Sequence, residues 1–136
     1  MNVKTYEKFV LDTSALMSLL EDEDGADRVE QVLRDDLVLL PWTAILEVVY
    51  ITLQARDKKE AEFRMAALKA IKTHIIWEMD EPTLLTATRW KARYRISFAD
   101  AIIAAYAFRH EATLLHKDPE FEALPPQVSH EALPYK

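Results

Sequence analysis

The sequence of 136 residues contains no cysteine and a single glycine, Gly25. Without cysteine the chain cannot form disulfides, thiolate zinc sites, iron–sulfur clusters or a cysteine nucleophile. Average usage would give about nine or ten glycines in a chain of this length. One glycine cannot build a GxGxxG turn or a Walker-type phosphate loop, so we expect no nucleotide cofactor bound by such a loop.

Long apolar runs are missing as well. The longest run, residues 101–108, has eight residues, whereas a membrane-spanning helix needs about 20. The N-terminal segment MNVKTYEKFVLD lacks the apolar core of a signal peptide. We therefore expect a cytoplasmic protein with no membrane association, and a single domain covering residues 1–136.

The charge balance limits the kinds of partner. Lys and Arg number 17 against 23 Asp and Glu, a formal net charge of −6, while half of the residues are hydrophobic. This composition supports a real core and excludes a protein that coats nucleic acid by bulk charge alone. It leaves room for a local basic patch or for an acidic cluster that holds a cation.

Short apolar runs alternate with segments of helical periodicity. Strands are predicted at residues 8–12, 37–40, 74–77 and 112–115, with a weaker fifth near 127–129. Helices are predicted at residues 14–21, 26–34, 43–56, 59–72, 80–94 and 97–110. Strands that alternate with helices favour parallel crossovers and a helix-covered sheet, whose sites lie at the carboxyl ends of the strands.

The acidic runs at 21–24 and 35–36 are expected to be solvated surface. Asp12 and Glu47, by contrast, stand in apolar company, where an unpaired carboxylate is costly. Asp12 ends the first predicted strand and could cap the next helix, although Thr13 or Ser14 could do so equally well. Glu47 lies one turn into a helix, and its simplest alternative role is a buried ion pair.

Two further carboxylates have the same character. Asp100 follows Ser97 by three residues, which is the spacing of a capping box. The helix dipole also stabilises a negative charge in the first turn, so a capping role would not exclude metal binding. Asp118 follows the fourth predicted strand and, taken alone, is a turn residue before Pro119.

Parallel topology would bring these four carboxylates to one crevice, because each leaves a strand end or enters a helix at the same sheet edge. Oxygen ligands without cysteine suit Mg²⁺ or Mn²⁺. A carboxylate site of this kind is suited to phosphodiester hydrolysis by a water that the metal activates.

The motifs that carry these carboxylates are LDTSAL, ILEVVY, SFADAIIAA and ATLLHKDPEF. In this order and with this spacing they resemble a PIN domain, from residue 9 to residue 121. The chain length is similar to that of the compact VapC-type toxins of prokaryotic toxin–antitoxin pairs.

The resemblance implies a three-layer α/β/α sandwich with a central, mainly parallel sheet. It also implies an endoribonuclease that depends on Mg²⁺ or Mn²⁺ and hydrolyses RNA with a metal-activated water. By the family pattern, Thr13 or Ser14 would hold the carboxylate of Asp12 and its water. The catalytic and metal-binding residues implied are Asp12, Glu47, Asp100 and Asp118.

VapC-type proteins pair with a small antitoxin, whose arm lies in the crevice, and they commonly form homodimers, so the resemblance implies both partners here.

Two alternatives keep the fold: a PIN nuclease of RNA maturation without an antitoxin, and a non-catalytic binding module. A response-regulator receiver is a third alternative. It requires an Asp at the end of the third strand, where the nearest is Asp80.

Two positions depart from the family pattern. His116 stands where the family often has Ser or Thr, and it is either a structural residue or a contact to substrate. Glu120 stands where the family commonly has Asp.

A basic stretch, residues 89–95, precedes Ser97 and interleaves two aromatic residues, Trp90 and Tyr94. It could bind an RNA backbone that enters the crevice, or it could be an ordinary solvated helix face. The candidate RNA contacts are Arg89, Lys91, Arg93, Arg95 and Lys117.

Overall fold

A computed structural model describes residues 7–136 of the chain. The first six residues, which belong to the predicted domain and to the segment examined for a signal peptide, lie outside this range. Short apolar runs rich in leucine, valine and isoleucine form the first four strands, as expected. The strands are β1 (Lys8–Leu11), β2 (Leu37–Pro41), β3 (His74–Ile76), β4 (Thr113–His116) and β5 (His130–Ala132).

Six helices and one short 3₁₀ turn connect these strands. Most predicted helix ends differ from the observed ones by one or two residues, as is usual for frayed helix termini. The helices are α1 (Thr13–Leu20), α2 (Ala26–Asp35), α3 (Trp42–Ala55), α4 (Lys58–Ala70), α5 (Glu81–Arg93) and α6 (Phe98–Arg109), and the 3₁₀ turn is Pro119–Ala123.

The sheet has the order β3-β2-β1-β4-β5, and every neighbouring pair is parallel. Consecutive residues of a strand point to opposite faces. In β1 the three consecutive residues Phe9, Val10 and Leu11 are all fully buried. Helices therefore cover both faces of the sheet, which confirms the predicted α/β/α architecture.

The fifth strand is the one element that the sequence misplaced. The residues predicted as a strand near 127–129 form a turn instead, in which the apolar Val128 is buried and donates its N–H to the carbonyl of Pro125. Pairing begins only afterwards, when Leu114 donates its N–H to the carbonyl of Ser129. The apolar signal marked the anchor of the turn rather than the strand.

The chain reverses its direction of travel across the sheet at β1. β2 lies on one side of β1 and β4 on the other, so the carboxyl ends of β1 and β4 are neighbours at a topological switch point. The N–H of Asp12 donates to the carbonyl of Leu115, 3.2 Å away, and fixes this juxtaposition. Sites of open α/β sheets lie at such an edge.

Side-chain caps start α1, α5 and α6 at this edge, whereas α3 begins without one. Ser97 accepts a hydrogen bond from the N–H of Asp100, and Asp80 accepts one from the N–H of Thr83, as expected from the sequence. The idea that Thr13 or Ser14 caps α1 and leaves Asp12 free is wrong. Asp12 is itself the cap, because it is the last extended residue before the helix and its carboxylate accepts from the N–H of Ala15.

No helix among residues 7–136 combines the length and apolar character that crossing a membrane requires.

Candidate active site

A cleft of about 550 Å³ opens at the carboxyl ends of β1 and β4. The first turn of α1, the second turn of α3, the start of α6 and the 3₁₀ turn form its walls. All four predicted carboxylates line it, together with three more acidic side chains. The acidic residues of the cleft are Asp12, Glu21, Glu23, Glu47, Asp100, Asp118 and Glu120.

Asp12 is held from two sides at the floor of the cleft. It is 1% exposed, and its carboxylate accepts from the N–H of Ala15 at 2.9 Å and from the hydroxyl of Ser14 at 2.8 Å. The Ser14 hydroxyl in turn accepts from the N–H of Lys117 at 2.8 Å. Burial raises the pKa of Asp12 to about 7, even though these hydrogen bonds stabilise its charged form.

Glu47 enters the cleft from the second turn of α3 and is half-buried. Its carboxylate accepts a hydrogen bond from the hydroxyl of Thr13. Within the described part of the chain Glu47 belongs to no ion pair, so its alternative role as a buried ion-pair residue is not observed. Thr13 and Ser14 therefore serve two different carboxylates rather than sharing Asp12.

Three carboxylates of the cleft lie close together. Asp100, Asp118 and Glu120 each offer an oxygen, and these oxygens all lie within 4.8 Å of one another. Asp118 is also a turn residue, as the simpler interpretation required, because its side chain caps the 3₁₀ turn by accepting from the N–H of Glu120 at 2.9 Å. The same turn brings Glu120 back into the cleft.

Glu120 is the residue that sequence reasoning missed as a possible ligand. Its position was noted only as a departure from the family pattern. The available signal was the short spacing in Asp118-Pro119-Glu120, since Asp118 caps the turn by accepting from the N–H of Glu120 and so keeps the two residues close.

The negative charges of the carboxylate cluster repel one another and are only partly exposed to water. Burial raises the pKa of Asp100 well above its usual range, and a hydrogen bond to Glu120 and the charges of Asp12, Glu120 and Asp118 raise it further. A cation bound among these oxygens would relieve the repulsion. An all-oxygen donor set suits Mg²⁺ or Mn²⁺, so the residues present fit the predicted metal.

The loop between α1 and α2 was expected to be solvated, but it is tied into the fold. Glu21 forms a salt bridge of 2.8 Å to Arg64, whose side chain is 4% exposed. The hydrogen bond from Arg64 lowers the pKa of Glu21. The Lys117 ammonium donates a hydrogen bond to the carbonyl of Asp24 at 2.8 Å, and its Nζ lies 3.8 Å from Oε1 of Glu23. The Lys117 ammonium thus anchors the loop between α1 and α2. Its predicted role was a contact to RNA.

His116 lies in the core and does not reach the cleft. It is fully buried, and its ring packs on Phe121 with 4.9 Å between centroids. Its Nδ1 accepts from the N–H of Asp118, so Nε2 carries the proton and donates to Nδ1 of His130 at 2.9 Å. Burial lowers the pKa of His116 to about 4 and keeps it neutral. His116 is structural, and the suggested contact to substrate is wrong.

The basic stretch is exposed, but its aromatic residues are not free. Trp90 is 6% exposed and packs edge-on against Phe108 at 5.4 Å. Tyr94 is half-buried, with the guanidinium of Arg93 6.0 Å from its ring. The exposed cations of this stretch are Arg89, Lys91, Arg93 and Arg95.

The receiver alternative fails on the third strand. β3 ends at Ile76, and Asp80, the nearest Asp after it, caps α5 instead of entering a strand-end pocket.

Several solved structures share this fold. They include VapBC2 from Rickettsia felis bound to a DNA fragment from its promoter, with a TM-score of 0.76, 15% identity, and coverage of 93% of this chain and 99% of that one. VapBC-1 from nontypeable Haemophilus influenzae has a TM-score of 0.72 and 19% identity, covering 92% and 97%. VapC20 of Mycobacterium tuberculosis, a toxin that cleaves the sarcin–ricin loop, has a TM-score of 0.70 and 16% identity, covering 85% and 93%.

No curated protein matches the sequence. The PIN domain family, however, matches residues 9–125. This range contains the whole carboxylate cluster and its supporting helices. The chain belongs to the PIN domain family.

Proposed function

We propose that this chain is a metal-dependent endoribonuclease and the toxin of a VapBC-type toxin–antitoxin pair. The observation that carries the proposal is the convergence of Asp100, Asp118 and Glu120 within 4.8 Å, with Asp12 buried in the same cleft. PIN membership and the fold shared with VapBC structures support the same conclusion.

The residues that would hold Mg²⁺ or Mn²⁺ are Asp12, Glu47, Asp100 and Asp118, with Glu120 added by its position in the cluster. A divalent ion in such a site supplies Lewis-acid chemistry, in which the pKa of a water falls and the charge of the phosphate oxygens is offset.

The chain's own residues prepare the site before RNA arrives. The Ser14 hydroxyl and the Ala15 N–H fix the Asp12 carboxylate, and the Thr13 hydroxyl fixes Glu47. Because these partners are already in place, the carboxylates need little reorganisation when charge develops at the phosphate.

The exposed cations of α5 supply the remaining requirement, attraction of a polyanion to a chain of net charge −6. Arg89, Lys91 and Arg93 lie on α5, and Arg95 follows it, just before the helix that carries Asp100. An RNA backbone bound along this stretch would be led toward the cleft. Lys117 contributes to the cleft wall through the loop that it anchors.

We also propose a homodimer and a small antitoxin as the protein partners. Leu46, Tyr50 and Leu53 follow one another at helical spacing on α3 and are 55%, 42% and 49% exposed. With Trp77, 56% exposed, they line an almost wholly apolar groove of about 420 Å³. An apolar surface of this kind is typical of a protein interface. The proposal places the complex in the cytoplasm.

Cleavage of total host RNA tests the activity. The purified protein is incubated with Mn²⁺, and new 5′-phosphate ends are mapped. Discrete cuts that disappear with EDTA and with Asp100→Asn are expected, and they would name the substrate. If no cuts appear, calorimetric titration of Mn²⁺ into the wild-type protein decides what fails. Binding without cleavage would leave a nuclease whose substrate is missing, whereas absence of binding would leave a non-catalytic PIN-like module.

A further inference from the structure

The first turn of α6 separates two cavities. Ser97 and Asp100 line the acidic cleft, and the adjacent residues Phe98 and Ala101 line a second groove of about 510 Å³ between α5 and α6. Residues three apart share a helix face, and the next residue along is turned by about 100°. One helical turn therefore forms a wall of the cleft on one side and a wall of the groove on the other.

The groove has a composition unlike that of the cleft. Its floor is apolar and buried, with Ala87, Ala101 and Ile102 at 7% exposure or less. Phe98 stands at its edge and is 72% exposed. Lys91 supplies a cation at the rim. An open aromatic face beside a cation is the combination that binds bases of single-stranded nucleic acid.

We propose, building on the ribonuclease function above, that Phe98 and this groove bind an unpaired nucleobase of the RNA next to the phosphodiester in the cleft. The ring of Phe98 stacks on the base, and Lys91 contacts the adjoining phosphate. The buried floor of α6 keeps water from the far edge of the base.

Three observations favour a base over a second protein copy in this groove. The groove shares a wall with the acidic cleft, so a strand that leaves the cleft over the first turn of α6 reaches it. Its rim carries Lys91, a residue type depleted from the cores of protein interfaces. The α3 groove, by contrast, is lined by Leu46, Tyr50 and Leu53 without a charged side chain and is the better surface for self-association.

The test measures binding separately from cleavage. Fluorescent strands of about twelve nucleotides, within the range of single-strand sites, are titrated into the full chain carrying Asp100→Asn, in EDTA. The probes are oligo(A), oligo(U) and an abasic ribose-phosphate strand of equal length. Phe98→Ala is expected to weaken oligo(A) and oligo(U) by about 5- to 100-fold. It should leave the abasic strand and the salt dependence unchanged, because no backbone charge is removed.

Matched variants separate stacking from bulk hydrophobicity. Phe98→Trp retains the affinity, whereas Phe98→Leu, which keeps apolar area but no aromatic face, loses as much as Phe98→Ala. Phe63→Ala is the control, because Phe63 is also exposed, at 65%, and lines neither the cleft nor the groove. Lys91→Ala weakens all three strands and lowers the salt slope by about one.

Each contrary outcome is distinct. Equal losses for the abasic strand, or full affinity in Phe98→Leu, overturn the stacking site. A change in oligomeric state with Phe98→Ala, measured by light scattering, overturns it in favour of a protein interface. If Phe98→Ala is silent while the Asp100→Asn parent binds the strands, the base site alone fails. If that parent binds no strand and the wild type cleaves no RNA, the proposed function fails and the base site with it.

Discussion

The backbone N–H of Lys117 donates to the hydroxyl of Ser14 across 2.8 Å, and this hydroxyl donates in turn to Asp12. Ser14 stands at the start of α1, and Lys117 directly follows β4. One hydroxyl therefore joins the two strand ends that form the floor of the cleft, and its donor and acceptor capacities are both used. The orientation of the Asp12 side chain is thus tied to the end of β4 through Ser14, in addition to the backbone hydrogen bond from Asp12 to Leu115.

Replacing Ser14 by Ala should affect both the fold and the site. The Lys117 N–H loses its acceptor and Asp12 loses a donor, which we expect to lower the free energy of unfolding by about 1 to 3 kcal/mol. Urea unfolding measures this loss, and Mn²⁺ calorimetry should show weaker binding in the same variant. Thr88→Ala is the control, because the Thr88 hydroxyl also donates one hydrogen bond, to the carbonyl of Leu84, but lies on an exposed helix face. Equal stability of both variants would contradict a coupling role for Ser14.

Gly25 is the only glycine of the chain, and its backbone conformation and close neighbours explain why glycine is required there. Its φ is +100°, and a β-carbon there would lie 3.1 Å from Cβ of the buried Leu133. Gly25→Ala is therefore both strained and crowded, and we expect it to destabilise by about 1 kcal/mol or more. Glu111→Gly is the opposite case, since Glu111 has a φ of +54° and gains from glycine. Thermal unfolding that ranks these two variants in the reverse order would refute the argument.

Much of the site could be predicted because its residues interrupt apolar segments. Asp12 and Asp100 stand at a strand end and a helix start inside buried sequence, and parallel topology then brings such positions to one edge. The helices and strands were predictable because their apolar residues recur with the helical or strand period, and several helices also have a capping residue. Asp80 and Ser97, for example, mark the helix starts that the structure has.

Two features could not be predicted: the path of the 3₁₀ turn after Asp118, and which face of α5 packs against the core. Glu120 reaches the cluster only because the 3₁₀ turn after Asp118 closes on itself. Trp90 belongs to the basic stretch that could bind RNA, but it continues the buried stripe of α5 formed by Thr83, Thr86 and Ala87. The helical spacing of that stripe was available in the sequence, and the run of charges concealed it.

The apolar groove on α3 predicts the oligomeric state. Leu53→Asp places a charge on a surface that the monomer already exposes to 49%, so the fold of one chain should not change. A dimer that buries this surface should dissociate, since an unpaired charge in an interface core is costly. Light scattering at matched concentrations measures the mass, with Leu84→Asp on α5, equally exposed at 49%, as the control. Dissociation by the control alone would move the interface to α5.

Asp12 should make the metal-free protein more stable toward mildly acidic pH. Its folded-state pKa of about 7 lies above the ordinary value of 3.8, so the folded chain binds this proton more tightly. The free energy of unfolding therefore rises as the pH falls from about 7 toward 4, and this gain is lost as the pH rises through 7. The gain is on the order of 4 kcal/mol for full titration of this one group.

Asp12→Asn isolates that effect, because Asn also caps a helix but carries no titrating proton. In EDTA, chemical unfolding between pH 5 and 7 should show a smaller loss of stability with rising pH in the variant than in the wild type. Parallel curves would mean that Asp12 ionises normally and that its burial is relieved in solution.

Glu120 offers the sharpest test of the metal centre, because its role follows from the geometry of the 3₁₀ turn. Glu120→Gln keeps the size of the side chain and its half-buried position but removes one charged oxygen from the cluster. We expect the Kd for Mn²⁺ to rise about tenfold or more. The pH dependence of binding should also shift downward, since the hydrogen bond and charge of Glu120 help to raise the pKa of Asp100. Protons that compete with the metal would then leave Asp100 at a lower pH.

Glu122→Gln is the matched control for this test. Glu122 lies two residues further along the same turn, but it is exposed and accepts a hydrogen bond from the hydroxyl of Tyr135 at 2.6 Å outside the cluster. Calorimetry of both variants between pH 6 and 8 separates a local charge effect from ligation. If both weaken Mn²⁺ equally, the turn contributes only a diffuse negative potential. If Glu120→Gln alone weakens it, the cation is bound at the point where Asp100, Asp118 and Glu120 meet.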